Sequence, residues 1–264
     1  MTDTRLLQGK VAIIAGAGEG IGRSCALCLA RDGADVVVAA RRPDPLTKLA
    51  AEVAEEHGTR TLAVPTDLSD LAQCRALVDR AADELGRVDI VVNVATMSGG
   101  NATVDELDLD TYRAAFELNV LGVLEVSRHA ARHMRRVGGG AIVQVSSLAA
   151  TVMQPRMAAY SSTKRAMMVA SFTMAKELGR DNIRVNVVTP GYTTGAPLDA
   201  MFAAIAARTG ADPAEVSRQA ARAAALRRHV DPIDIAEAVA FLASPRARNI
   251  TGVELKVDAG QVVG

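Results

Sequence analysis

The sequence folds into an α/β protein: a doubly wound parallel sheet of about seven strands with helices on both faces. Three observations lead there. Seven short runs rich in β-branched residues recur along the 264 residues, longer helical stretches separate them, and the runs are mostly apolar rather than alternating. Continuous apolar strands are covered on both faces, and a repeated strand-then-helix order gives right-handed crossovers between parallel strands. The strands are expected at V-A-I-I-A (11–15), D-V-V-V-A-A (35–40), T-L-A-V-P (61–65) and V-D-I-V-V-N-V (88–94). They continue at A-I-V-Q-V (141–145), I-R-V-N-V-V (183–188) and V-E-L-K-V (253–257). Helices are expected over 20–32, 45–57, 69–85, 104–136, 158–179 and 232–243. No linker, composition shift or internal repeat divides the chain, so residues 1–264 are expected to form one domain. Residues 196–229 break the rhythm with two helical pieces joined by T-G-A-D-P, a glycine turn followed by an Asp-Pro start signal. At the carboxyl edge of a parallel sheet such an excursion, residues 195–229, is placed to serve as a substrate lid.

Composition narrows the classes of function. Apolar residues make up 49% and charged residues 23% of the chain, and thirty basic side chains balance thirty acidic ones. That is ordinary for a soluble globular protein. A nucleic-acid binder usually shows a basic excess or stripe. The short clusters at residues 132–136 and at Arg227 and Arg228 read instead as helix-end or solvated charges. No run approaches the roughly eighteen apolar residues of a membrane span, and the first ten residues lack the apolar core of a secretory signal. A cytoplasmic protein with neither nucleic-acid nor membrane partners is therefore expected. Cys25, Cys28 and Cys74 suit a reducing compartment. Cys25 and Cys28 form a C-x-x-C, but inside an expected helix, among small apolar neighbours, they read as buried structural thiols. His57, His129, His133 and His229 show no metal-ligand spacing with Asp or Glu, so no metal site is expected.

The first strand runs directly into A-G-A-G-E-G-I-G, residues 15–22, and then a helix. Gly16, Gly20 and Gly22 would let the backbone turn tightly, approach a pyrophosphate and pack helix against sheet. The helix N-terminus offers free amides and a positive dipole end to phosphates. A dinucleotide is the expected ligand. A methyltransferase also places a glycine-rich loop after its first strand, so that class stays open on this motif alone. The second strand ends V-V-V-A-A-R-R. An NAD-preferring site usually carries an acidic residue there for the ribose 2′-hydroxyl. Ala40 holds the place, followed by Arg41 and Arg42, whose guanidinium groups suit a 2′-phosphate. NADP is expected ahead of NAD.

Further along, A-A-Y-S-S-T-K (158–164) sets Tyr160 and Lys164 four residues apart, on one face of the expected helix. With these pieces in order, the chain resembles a short-chain dehydrogenase/reductase of the compact branch, over nearly its whole length from Gly9. The family's T-G-x-x-x-G-I-G is matched at 15–22, with Ala15 for threonine and with Gly18, Glu19 and Ile21 inside the loop. Asp67, with Leu68 after it, matches the acidic residue that contacts adenine. Asn93, Val94, Ala95 and Thr96 stand where the family reads N-A-G, and Asn119 in E-L-N-V matches its active-site asparagine. Ser147 precedes Tyr160 by thirteen residues, Tyr160 and Lys164 match Y-x-x-x-K, and Pro190 and Gly191 match the loop beside the nicotinamide. Three departures stand out. Thr96 replaces a glycine and is expected to narrow the pocket floor; Glu19 puts an acid near the phosphates; Gly195 takes the place of a threonine, leaving Thr193 or Thr194 to contact the carboxamide.

The resemblance implies a Rossmann-type fold and hydride transfer between nicotinamide and a carbonyl or secondary alcohol. A phenol with an ordinary pKa near 10 is a poor base at neutral pH, and an ammonium one turn away favours its phenolate form. Tyr160 is thus implied as general acid/base, beside Lys164, which also holds the nicotinamide ribose. Ser147 is implied to stabilise charge on the substrate oxygen. Asn119 is implied to fix a water that relays protons from Lys164. Thr96, Met97, Met153, Met157, Tyr192, Met201 and Phe202 are the expected walls of a largely apolar substrate pocket. A catalytically weak nicotinamide-binding regulator of the same fold is the alternative. Tyr112, Phe116, Val120 and Leu124 form an apolar stripe at fourfold spacing, and the family implies a homodimer or homotetramer packed through this helix and the next.

Overall fold

Each apolar run becomes a strand of one seven-stranded sheet in the computed structural model, which describes residues 5–263. In chain order the elements are β1 (Val11–Ala15), α1 (Ile21–Arg31), β2 (Asp35–Ala40), α2 (Pro43–His57), β3 (Thr61–Pro65), α3 (Leu71–Leu85) and β4 (Ile90–Asn93). Then come α4 (Leu109–Phe116), α5 (Val123–Arg136), β5 (Gly140–Val145), α6 (Ala158–Leu178) and β6 (Ile183–Pro190). Last are α7 (Ala196–Thr209), α8 (Pro213–Ala223), α9 (Pro232–Ala243) and β7 (Glu254–Val257). The strands lie in the order β3-β2-β1-β4-β5-β6-β7, and every neighbouring pair is parallel.

Both faces of the sheet are buried, which explains the unbroken apolar runs. Val36 and Val38 of β2 point into a core that includes Leu29 of α1 and Ile235 of α9. Val37 and Ala39 point into the opposite core, with Leu77 of α3 and Val126 of α5. The chain winds from β1 outward to β3, then returns to add β4 on the other side of β1. That reversal opens a crevice beyond the carboxyl ends of β1 and β4, where ligands of such sheets bind.

The expected helix 104–136 is not continuous. A single 3-10 turn spans Val104–Glu106, α4 starts at an Asp108 cap whose carboxylate accepts from the amides of Asp110 and Thr111, and a π-helical turn spans Glu117–Gly122 before α5. The π turn makes a close approach. A Cβ at Gly122 would lie 1.8 Å from the Leu68 carbonyl oxygen, so this turn sits directly on the loop after β3. Other differences are at element ends: α3 begins two residues late, at an Asp70 cap accepting from Ala72 and Gln73, and β6 runs on to Pro190. Among the described residues, no helix is long and apolar enough to cross a membrane.

Candidate active site

The glycine loop leaves β1 at the crevice. Gly16 has φ +105°, and a Cβ there would lie 2.2 Å from the Ala95 amide nitrogen, so the turn packs directly on the strand end of β4. At Gly22 a Cβ would meet the Gly16 carbonyl oxygen at 2.3 Å, which seats α1 against the turn. Gly20 precedes α1 with no side-chain cap, leaving the first amides of the helix to the crevice. Glu19, Arg41 and Arg42 are exposed. Asp67 accepts from the Ser69 amide at 3.0 Å and its hydroxyl at 2.7 Å, bonds that hold its carboxyl below the usual range.

Past the sheet, β5 ends at Val145 and α6 begins at Ala158, and these two elements bring Ser147, Tyr160 and Lys164 to one cavity. Lys164 is 3% exposed; its Nζ donates to the Val145 carbonyl at 3.0 Å and lies 5.8 Å from the centre of the Tyr160 ring. Burial pulls the ammonium below its ordinary pKa, opposed in part by the Tyr160 phenol. Ser147 starts a 3-10 turn, Leu148–Ala150, and its Oγ accepts from the Ala149 amide at 3.2 Å.

Asn119 lies in the π turn, 2% exposed. Its Oδ1 accepts from the Met97 amide at 2.8 Å, and its Nδ2 donates to the Met97 carbonyl at 2.8 Å and to Thr163 Oγ1 at 3.0 Å. Both of its N–H groups are thus committed to protein acceptors. The side chain ties the loop after β4 to the first turns of α6.

The cavity measures about 340 Å³. Of the expected substrate walls, Thr96, Ser147, Met157, Tyr160, Tyr192 and Met201 line it. Met97, Met153 and Phe202 do not: the first two are 37% and 64% exposed, and Phe202 is buried edge-on beneath Tyr192, centroids 5.8 Å apart. Helix spacing alone could not distinguish a wall from the layer behind it. Of the expected cofactor positions, Ile21, Val94, Pro190, Gly191 and Thr193 also line the cavity. Asn93 does not; its Nδ2 donates to Ser127 of α5 at 3.0 Å inside the core. Thr194 is likewise committed, its hydroxyl donating to Asp231 at 2.5 Å.

Each end of the 196–229 excursion is fixed to the other. Thr193 and Val230 form a parallel bridge, the Thr194 amide donates to the Val230 carbonyl at 2.9 Å, and the Val230 amide donates to the Tyr192 carbonyl at 3.0 Å. From this base α7 sends Pro197, Leu198 and Met201 over the cavity. Gln261 and Val262 of the C-terminal tail were not among the expected site residues, yet they line the cavity and Gln261 Oε1 accepts from the Tyr192 amide at 3.2 Å. Also unforeseen was Ser146, a buried hydroxyl on the cavity wall with no protein partner.

The overall fold is shared with solved structures. The family model for the short chain dehydrogenase matches residues 10–231. The chain belongs to the short-chain dehydrogenase family. Cis-4-hydroxycyclohexanecarboxylate dehydrogenase of Sinomonas cyclohexanicum is 37% identical to it, over 95% of this chain and 96% of that protein. A 7 alpha-hydroxysteroid dehydrogenase solved with NADH and 7-oxo glycochenodeoxycholic acid superposes with TM-score 0.90 at 35% identity, covering 99% of this chain and 98% of that one. L-sorbose reductase of Gluconobacter frateurii, solved with NADPH and L-sorbose, gives TM-score 0.92 at 31% identity, with 99% of each chain covered.

In this short-chain dehydrogenase the C-x-x-C thiols of α1 are buried, and burial pushes Cys28 up to about 11 and Cys25 higher still. Inert structural thiols have this character. The histidines depart from expectation. His129 and His133 of α5 both place Nε2 on Asp79 Oδ1, at 2.8 and 3.1 Å. Asp79 lies fifty residues before His129 on α3, so spacing within one segment did not show the cluster.

Proposed function

We propose that this protein is an NADP-preferring oxidoreductase that interconverts a carbonyl and a secondary alcohol on a largely apolar small molecule, with Tyr160 as general acid/base. The observation that carries this reading is the cavity in which Ser147, Tyr160 and buried Lys164 meet Pro190 and Gly191, Ile21 at the start of α1 and Val94 just past β4. A dinucleotide fits the residues present. The Gly16 and Gly22 turn leaves no room for a Cβ, the amides of α1 lack a side-chain cap, and the Ser146 hydroxyl is without a protein partner beside the cavity. The glycine loop would hold the pyrophosphate, Asp67 and Leu68 the adenine side, Arg41 and Arg42 a 2′-phosphate, and Lys164 and Thr193 the nicotinamide end. When bound, the nicotinamide donates or accepts the hydride.

The chain's own residues handle the oxygen and its proton. Ser147 Oγ and the Tyr160 hydroxyl donate to the substrate oxygen as negative charge develops there, and Tyr160 passes its proton on in the reductive direction. Lys164 presents its charge from beneath the phenol, held by the Val145 carbonyl. Asn119 is a positioning residue, fixing the Met97 loop on one side of the cavity and Thr163 on the other. Val94, Leu148, Val152, Leu198 and Met201 make the walls apolar and exclude water, and residues 195–229 act as the lid on a fixed base. Relatives act on a hydroxycyclohexane, a steroid and a sugar; the apolar walls favour cyclic or aryl ketones over polyols.

The test is reduction of a ketone panel followed through NADPH absorbance, with Tyr160→Phe beside the unaltered chain. Turnover should fall at least a hundredfold in the variant while NADPH binding stays within about threefold. Near-normal turnover in Tyr160→Phe would remove the mechanism. Turnover of polyols with none of cyclic ketones would remove the apolar substrate, and no turnover with any carbonyl or alcohol would favour a regulator of the same fold.

A further inference from the structure

We propose that Asp79, His129 and His133 form a binding site for a divalent transition-metal cation of the zinc, cobalt or nickel type, which clips α3 to α5 outside the substrate cavity. The two histidines stand four residues apart on α5 and so project from one face, their ring centroids 5.6 Å apart. Both aim Nε2 at the same carboxylate oxygen on the neighbouring helix, at 2.8 and 3.1 Å. All three ligand atoms lie within 4.8 Å of one another. A tetrahedral zinc ion with bonds of roughly 2.0–2.2 Å holds its ligands about 3.3 Å apart. The two contacts to Asp79 therefore need to open by only a few tenths of an ångström, and the two imidazole nitrogens already lie within 4.8 Å of each other.

The surroundings suit a cation. The imidazoles are shielded, 12% and 15% exposed, while Asp79 is 49% exposed and gives an ion a way in from solvent. Two neutral imidazoles and one carboxylate are a donor set for zinc or its neighbours rather than for calcium or magnesium, which take oxygen cages. Three protein ligands leave a fourth position for water. The nearby Arg75 and Arg128 are both paired with buried Glu125, so their charges are already answered across the same two helices. None of the three ligands lines the cavity, so loading this site and turning over substrate are separable.

The experiment is calorimetric titration of the untagged, chelator-stripped full chain with zinc chloride, and with cobalt chloride followed by its visible absorption bands. One ion per chain is expected, with tetrahedral cobalt bands and a rise in Tm on zinc addition. His129→Asn, His133→Asn and Asp79→Asn should each weaken binding at least tenfold, while His57→Asn and His229→Asn leave it unchanged. Asp79→Asn keeps the shape of a half-exposed side chain, so it reads the site even if a histidine variant folds poorly. No saturable binding at millimolar zinc, or binding that survives all three ligand substitutions, would overturn the proposal and leave the cluster as a hydrogen-bonded brace.

Discussion

The ammonium of Lys164 is held beneath the ring of Tyr160, 5.8 Å from its centre, by one hydrogen bond to the Val145 carbonyl, in a place water scarcely reaches. Among the described residues no carboxylate is paired with it. A buried, uncompensated charge costs stability, and here the burial is tied to the chemistry proposed for the site. The sign follows from the direction of its shift. Unfolded, the lysine holds its proton up to about 10.5; folded, burial makes it release that proton at lower pH. Below the folded value both states are charged and the folded state bears the whole penalty; above the unfolded value neither does. The penalty is therefore relieved as pH rises between the two. Lys164→Met should raise the apo-protein's stability at neutral pH by about 1–3 kcal/mol and flatten that rise, while abolishing turnover. Thermal unfolding of both proteins from neutral pH to about pH 11 checks it; a less stable Lys164→Met at neutral pH would contradict it.

Asn119 supports a second expectation. Asn119→Ala removes three hydrogen bonds at once and leaves both backbone groups of Met97 without their partner. A loss of about 2–4 kcal/mol in stability should accompany at least a tenfold loss in kcat, because the loop carrying Thr96 is then free of α6. Denaturant melts and steady-state kinetics on one preparation measure both. A normal kcat would mean that the loop is positioned by something else.

The strands were legible because burial on both faces writes itself into sequence as unbroken apolar runs, and Gly16, Ser147, Tyr160 and Lys164 because each sits at a fixed place in an ordered motif. What escaped notice depended on long-range contacts. The π turn at Glu117–Gly122 ends where Gly122 packs on Leu68, three elements earlier in the chain. Met153 and Phe202 share the apolar character of true walls such as Met157 and Met201, and only the packed structure separates solvent, wall and second layer. Asp79 met His129 for the same reason: no periodicity connects α3 to α5. Gln261 belongs to a tail with no repeating pattern at all, placed by Gly191, where a Cβ would lie 2.7 Å from Asp258 Cα.

The proposed preference for NADP rests on Arg41 and Arg42, both exposed just past β2, where Ala40 stands in place of a carboxylate for a ribose diol. Replacing both with alanine should raise KM for NADPH about 10–100-fold, the worth of one or two charge-assisted hydrogen bonds, and leave KM for NADH within about twofold. Equal effects on the two coenzymes would mean that the arginines act on something other than the 2′-phosphate. A parent enzyme that already prefers NADH would defeat the assignment outright.

The glycine loop allows fold and ligand contact to be separated. Gly16 combines φ +105° with a Cβ position 2.2 Å from the Ala95 nitrogen, so Gly16→Ala must move backbone and should cost about 3 kcal/mol or more. Gly18 is exposed, and a Cβ there would meet nothing within 4 Å. Gly18→Ala should therefore keep stability within about 0.5 kcal/mol. If a pyrophosphate lies along this loop, the added methyl at Gly18 crowds it, and NADPH affinity should fall at least fivefold in a protein that melts normally. Fluorescence titration beside a thermal melt gives both numbers. Unchanged NADPH affinity in Gly18→Ala would place the phosphates elsewhere and take the glycine loop out of the coenzyme site.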